Sequence, residues 1–81
     1  GKNLIPRIQE IKENAVNDFN LRIMKPLKNT HMEEQEKEQL VSAVDRAMEK
    51  VVNKMLFGLR DSMNEQAFLE CVAGLEKTYE K

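Results

Sequence analysis

Apolar residues recur at helical spacing in three separate stretches of the chain. In the first stretch they are three or four residues apart, which places them on one face of a helix. This first stripe consists of Leu4, Ile8, Ile11, Ala15, Phe19 and Ile23. Asn3 is placed to cap the helix, and Pro6 falls in its first turn, where a missing N–H costs little. Because Pro26 disfavours helical geometry at the residue before it, we expect a helix over about residues 4–25.

The second stretch predicts the longest helix, over about residues 31–58. Thr30 and Glu33 have the spacing of a capping box at its start. Its apolar positions alternate at three and four residues, the spacing of helices that pack along a seam. The seam consists of Val41, Val44, Met48, Val51 and Met55, and it is widened by Leu40, Ala47, Val52, Leu56 and Leu59. Gly58, near the end, could be a C-cap, a bend or a point of close packing.

The third stretch predicts a short helix over about residues 63–80. Ser62 and Glu65 again have capping-box spacing. Apolar side chains follow at intervals of four, three and four residues, namely Phe68, Val72, Leu75 and Tyr79. With no strand pattern, the expected fold class is all-α. We expect one domain, residues 1–81, whose three-helix segment of the helical hairpin type forms an intermolecular bundle.

The expectation of a bundle between two chains comes from helix lengths. At about 1.5 Å per residue the second helix spans roughly 40 Å, whereas the first and third span roughly 30 and 25 Å. Two shorter helices leave part of its apolar stripe uncovered, and a second copy of the chain is the simplest cover. A chain of 81 residues also buries only about 60% of its surface on folding, so its own core is small.

The predicted homodimer interface lies on the second helix. Its residues are Leu40, Val41, Val44, Met48, Val51, Val52, Asn53, Met55, Leu56 and Leu59. Asn53 is flanked by Val52 and Leu56, and a fixed amide there can hydrogen-bond across the interface and set its register.

Composition and residue spacing favour no catalytic, cofactor-binding or metal site in this chain. His31 stands in a connector without a cluster of metal ligands, and Cys71 lacks a basic neighbour that would activate its thiol. Three scattered glycines cannot form a phosphate-binding loop. A lone cysteine fits a reducing compartment, and no apolar run approaches the roughly 18 residues of a membrane helix. We therefore expect a cytoplasmic protein without membrane contact.

Two other classes of function stay open at this stage. A basic ridge could contact phosphate, as in a small RNA-binding module, although a solvated ridge is the simpler interpretation. It consists of Arg46, Lys50, Asn53, Lys54 and Arg60. Alternatively, the second helix could present its apolar groove to a partner helix, as in a helical adaptor. Five methionines in the chain suit such an adaptable surface, but core or dimer packing is the simpler interpretation, above all for Met48 and Met55.

The segment Val51–Arg60, VVNKMLFGLR, resembles the motif (I/V)VN(K/R)(L/M)LHGP…LR of the C-terminal dimerisation domain of the glutamyl-tRNA reductase family. Ile5–Asn29 resembles the preceding helix of that domain in phase, proline position and length, and Met32–Lys50 fills the place of the stretch between them. The chain departs from the motif at Phe57 and Leu59, where the family usually has His and Pro. The match is strongest at Val52, Asn53, Lys54 and Leu56.

The resemblance implies that the chain is a C-terminal fragment of a larger enzyme. That enzyme reduces glutamyl-tRNA to glutamate-1-semialdehyde with NADPH, which opens a route to tetrapyrroles such as porphyrins. In the family, the nucleophilic cysteine and the NADPH site belong to other domains, and Cys71 matches no catalytic position. The fragment itself is therefore expected to be no enzyme, to bind no cofactor and to join two subunits. Without the usual His and Pro, the second helix is expected to run through Gly58.

Overall fold

A computed structural model describes residues 3–80 and forms three α-helices. They are α1 (Ile5–Lys28), α2 (Glu34–Ser62) and α3 (Glu65–Thr78). No strand occurs in this described range, and the predicted all-α class is confirmed. A short connector turns α2 back along α1, and α3 folds against the hairpin at the end where α1 begins and α2 ends. The longest dimension is 49 Å, which is set by α2.

Helix α1 continues three residues past its predicted end at Lys25. Pro26 lies inside the helix, in its last turn, and the expectation that it would stop the helix was wrong. A proline lacks the N–H that would bond the Arg22 carbonyl, and the helix continues for only two residues beyond it. The N–H groups of Asn29 and Thr30 close the final turn by donating to the carbonyls of Pro26 and Leu27, each at 3.2 Å.

Helix α2 begins at Glu34, three residues later than predicted, because a different capping box forms. Glu33 is the N-cap and accepts the N–H of Glu36, while the Glu36 carboxylate accepts the N–H of Glu33 at 3.2 Å. Thr30 belongs to the end of α1 instead, since its hydroxyl donates to the Leu27 carbonyl at 2.8 Å. The predicted Thr30–Glu33 box is therefore wrong.

Helix α2 also extends further than the predicted boundary at residue 58. It runs through Gly58 to Ser62, as the absence of a proline at position 59 led us to expect. Ser62 does not cap α3, because its hydroxyl donates to the Leu59 carbonyl at 3.0 Å. The cap is Asn64, whose side-chain oxygen accepts the Ala67 N–H at 2.8 Å. Helix α3 accordingly covers residues 65–78 instead of 63–80.

The hydrophobic core lies at the end of the hairpin that α3 covers. All three helices contribute to it, and its buried members are Ile8, Ile11, Leu56, Phe68 and Val72. Phe68 is 2% exposed and Val72 is fully buried, so the inner face of α3 is closed off from solvent. Beyond the reach of α3, the hairpin has only two layers of side chains.

We expect Phe68→Ala to destabilise the fold by about 3 to 5 kcal/mol, because it removes a buried ring and leaves a cavity between three helices. Leu21→Ala is the control: Leu21 is 70% exposed, and its truncation should change stability by no more than about 0.5 kcal/mol. Urea unfolding monitored by circular dichroism measures both. Equal effects of the two substitutions would contradict this assignment of the core.

Candidate functional site: an apolar face on α2

Large apolar side chains remain exposed along one side of α2. We call Leu40, Val51, Met55 and Leu59 the α2 stripe. Val51 is 52% exposed and Met55 is 63% exposed, although both lie several residues from either end of α2, the longest helix. Spacings of four residues between Val51, Met55 and Leu59 keep them on adjoining turns. Single exposed apolar residues are ordinary, but a row of them on one helix indicates a surface that contacts another molecule.

The α2 stripe borders an apolar groove where the three helices meet. The volume of the groove is about 180 Å³. Met55 and Leu59 belong to both the stripe and the groove, and Leu75 and Tyr79 line the groove from the α3 side. The other lining residues are Ile11, Ala15, Val52 and Leu56. The apolar surface of α2 is therefore continuous with the crevice beside the core.

Gly58 lies on the same side of α2 as the stripe. It lines a shallow depression together with Lys54, Met55, Leu59 and Ser62. No atom outside its own helix lies within 4 Å of the position that a Cβ would take at Gly58. The glycine therefore serves neither as a C-cap nor as a close contact within this chain, and its φ is not positive. Gly58 therefore leaves a gap without a side chain on this side of α2.

The predicted interface residues divide between the core and the surface. Leu56 is only 4% exposed and belongs to the core of its own chain, and Val52 packs against that core. Val41, Val44, Met48 and Asn53 are half-buried, whereas Leu40, Val51, Met55 and Leu59 are exposed. The exposed members are therefore the ones available to another molecule, while Leu56 lies beneath them and fixes the orientation of α2.

An ion pair that the sequence analysis did not find joins α1 to α3. The Arg7 guanidinium donates from two nitrogens to the two carboxylate oxygens of Glu76, with 2.9 Å between Nε and Oε2. These hydrogen bonds, helped by charge attraction and opposed by partial desolvation, hold the pKa of Glu76 below its ordinary value. The same hydrogen bonds raise the pKa of Arg7. Residues 69 positions apart give no local signal of such pairing.

Two polar atoms inside the hairpin have no hydrogen-bond partner among the described residues. They are the side-chain oxygens Oδ1 of Asn20 on α1 and of Asp45 on α2. Each buried oxygen left without a donor costs about 1 to 3 kcal/mol. This part of the hairpin lies beyond the core cluster.

The residues considered for chemistry are dispersed. His31 is exposed in the α1–α2 connector. Cys71 is half-buried, and its thiol lies 3.7 Å from the Met63 sulfur. In the range 3–80, no three side chains of His, Cys, Asp or Glu come together in a way that suits a metal ion. No helix among the described residues has the length and apolar character that crossing a membrane requires.

The basic ridge is largely exposed, but parts of it are engaged locally. The Arg60 guanidinium lies 4.7 Å from the centre of the Phe57 ring and also pairs with Asp61. Phe57 therefore both packs against the core and supports a cation. Asn53 is half-buried beside these residues. The exposed cations that remain on the ridge are Arg46, Lys50 and Lys54.

Comparison with known protein families, curated proteins and solved structures finds no match for this chain.

The Arg7–Glu76 pair makes stability depend on pH in a defined direction. Because the folded-state pKa of Glu76 is lowered, its contribution is complete above the unfolded-state pKa and is lost as pH falls through the folded-state pKa. We expect Glu76→Gln to unfold at a lower temperature than the parent chain at pH 7. The difference should shrink as pH falls below the ordinary Glu value of 4.5.

Thermal melts of both chains between pH 7 and pH 3 measure this dependence. The control is Glu70→Gln, which changes an exposed carboxylate on the same helix and should alter the melting temperature little at any pH. A difference between Glu76→Gln and the parent that stays constant across the range would contradict the assigned role of the ion pair.

Proposed function

We propose that this chain is a homodimerisation module whose α2 stripe is covered by a second copy. The observation that carries the proposal is the exposure of Val51 and Met55, 52% and 63%, in the interior of the longest helix of a small fold. Such a row costs solubility unless another surface covers it. Closed two-fold pairing of identical chains is the commonest arrangement among soluble oligomers, and it would cover this face.

The distribution of stability in the chain supports the same proposal. The compact core has five buried members, all at the end where α3 lies. The remainder of the hairpin has two helices only, with unpaired oxygens at Asn20 and Asp45. Burial of the stripe against a second copy would add apolar contact along α2 where α3 does not reach. Folding and association would then be thermodynamically coupled.

We further propose that the module belongs to a glutamyl-tRNA reductase. This step rests on the resemblance of Val51–Arg60 and the flanking segments to the dimerisation domain of that family. On this proposal the parent enzyme reduces glutamyl-tRNA with NADPH in tetrapyrrole biosynthesis, and other domains hold the cofactor and the nucleophile. These 81 residues would hold two such subunits together. Their own contribution would be structural and not catalytic.

The proposal predicts that Val51→Glu abolishes dimerisation and reduces helicity together. Burying an unpaired carboxylate at an apolar interface should cost several kcal/mol, about 3 to 5 by analogy with other buried charges. Because association stabilises the folded chain by mass action, the loss of helicity should diminish at high protein concentration. Sedimentation, together with thermal melts at several concentrations from the micromolar range upward, measures both effects.

Glu38→Lys is the matched control, since it changes charge at an exposed position on the polar opening turns of the same helix. It should alter stability by no more than about 0.5 kcal/mol. A Val51→Glu chain that stays dimeric with an unchanged melting curve would refute an interface on this face. A parent chain that sediments as a fully helical monomer at micromolar concentration would refute the dimer itself.

A further inference from the structure

We propose that the two copies of α2 pack antiparallel, with the two-fold axis passing beside the peptide between Asp45 and Arg46. This inference rests on the proposed homodimer and adds its orientation and register. It follows from three properties of the exposed face of α2, namely the order of its apolar residues, the placement of its charges and the size of its central side chains.

The order of apolar residues fits an antiparallel partner. Leu40, Val44, Ala47 and Val51 are separated by four, three and four residues, which is the spacing of a helix–helix seam. The spacing reads the same in both directions along the helix. An axis at the centre of this series sets Leu40 opposite Val51 of the second copy, and Val44 opposite Ala47 of the second copy. Met55 then lies beside Glu36 of the second copy, and Leu59 lies at the edge of the contact, beyond the start of that copy's α2. Each contact occurs twice by symmetry.

The charges beside this seam decide between the two orientations. Glu36 and Lys54 are 18 residues apart, which is five full helical turns, so they lie along one line on the same flank. Antiparallel pairing brings Glu36 near Lys54 of the second copy at both ends of the contact. Parallel pairing would instead leave Glu36 and Lys54 of the second copy about 27 Å apart along the contact and on opposite flanks of the seam, so the two could not pair. Both side chains are exposed, and neither belongs to an ion pair among the described residues.

The central side chains permit a close approach of the two helices. Ala43 and Ala47 are exposed and lie next to the proposed axis. Small residues at such a crossing reduce the distance between helix axes and so bring Leu40 and Val51 into contact. Antiparallel alignment also places the positive N-terminal end of each helix dipole near the negative C-terminal half of the other.

Disulfide trapping between two differently labelled chains tests the orientation. In a Cys71→Ser background, one chain carries Leu40→Cys and the other carries Val51→Cys. The proposal predicts an interchain disulfide in the mixture of the two and little in either chain alone. In the antiparallel register, Leu40 of one copy and Leu40 of the other lie about 16 Å apart along the helix, because 11 residues separate their levels. The same holds for the two copies of Val51. A disulfide needs Cα atoms within about 7 Å, so neither chain alone can form one.

Each result of the trapping experiment has a definite meaning when sedimentation has first established that the labelled chains are dimers. Cross-linking confined to the mixture supports the antiparallel register. Strong cross-linking of either chain alone supports parallel pairing and overturns the proposal. Dimers that cross-link in none of the samples place the contact elsewhere and overturn it as well. Labelled and parent chains that are all monomeric would refute the proposed function itself.

Charge reversal supplies an independent measurement on the same dimer. Lys54→Glu should weaken the dimer by roughly three- to tenfold at low salt, because it opposes two carboxylates at each end. Adding Glu36→Lys to that chain should restore the affinity. The Glu36→Lys chain alone measures how much affinity is lost with the capping box. The Arg46→Glu chain measures the effect of an equal charge change at a side chain that does not flank the seam. Failure of the double reversal to recover affinity would contradict the proposed pairing.

Discussion

Contact between the inner face of α3 and the open end of the α1–α2 hairpin is the interaction on which the rest of the structure depends. Phe68 and Val72 are almost fully buried against Ile8, Ile11 and Leu56. Two helices alone expose too much of their apolar faces to be stable, so this third layer is what gives the chain a core. It also fixes the rotation of α2, since Leu56 must point inward. Once Leu56 is inside, Val51 and Met55 must remain outside.

The ion pair of Arg7 and Glu76 acts beside this core and not within it. Bidentate contact between a guanidinium and a carboxylate has a defined geometry, which restricts how α3 crosses the start of α1. Both side chains remain partly exposed to solvent, so orientation of α3 is a more important consequence than added stability. The apolar groove beside Met55 and Leu59 depends on the same orientation, because Leu75 and Tyr79 line its α3 side.

Phe57 and Leu59 each have a separate structural consequence for α2. Phe57 packs against the core and carries the Arg60 guanidinium over its ring. Leu59 supplies a backbone donor that a proline at this position would lack, and α2 continues to Ser62. The continued helix keeps Leu59 and Gly58 in line with Val51 and Met55. The exposed apolar face is longer as a result, and a partner helix would have more surface to contact.

The sequence by itself determined the helical class, the number of helices and most of the core, because apolar spacing directly reflects helical periodicity. It did not determine which side of each stripe would be inside. Val16 is buried although the predicted stripe of α1 contained Ala15 and not Val16. The neighbouring helices decide which edge of such a stripe they cover, and periodicity alone does not. Helix ends also moved by several residues, because Thr30 and Ser62 bond to preceding carbonyls and leave the caps to Glu33 and Asn64. Only tertiary packing assigned Leu56 to the core and left Val51 and Met55 on the surface. All three belong to one broad apolar stripe in the sequence, and the packing of α3 covers only part of that stripe.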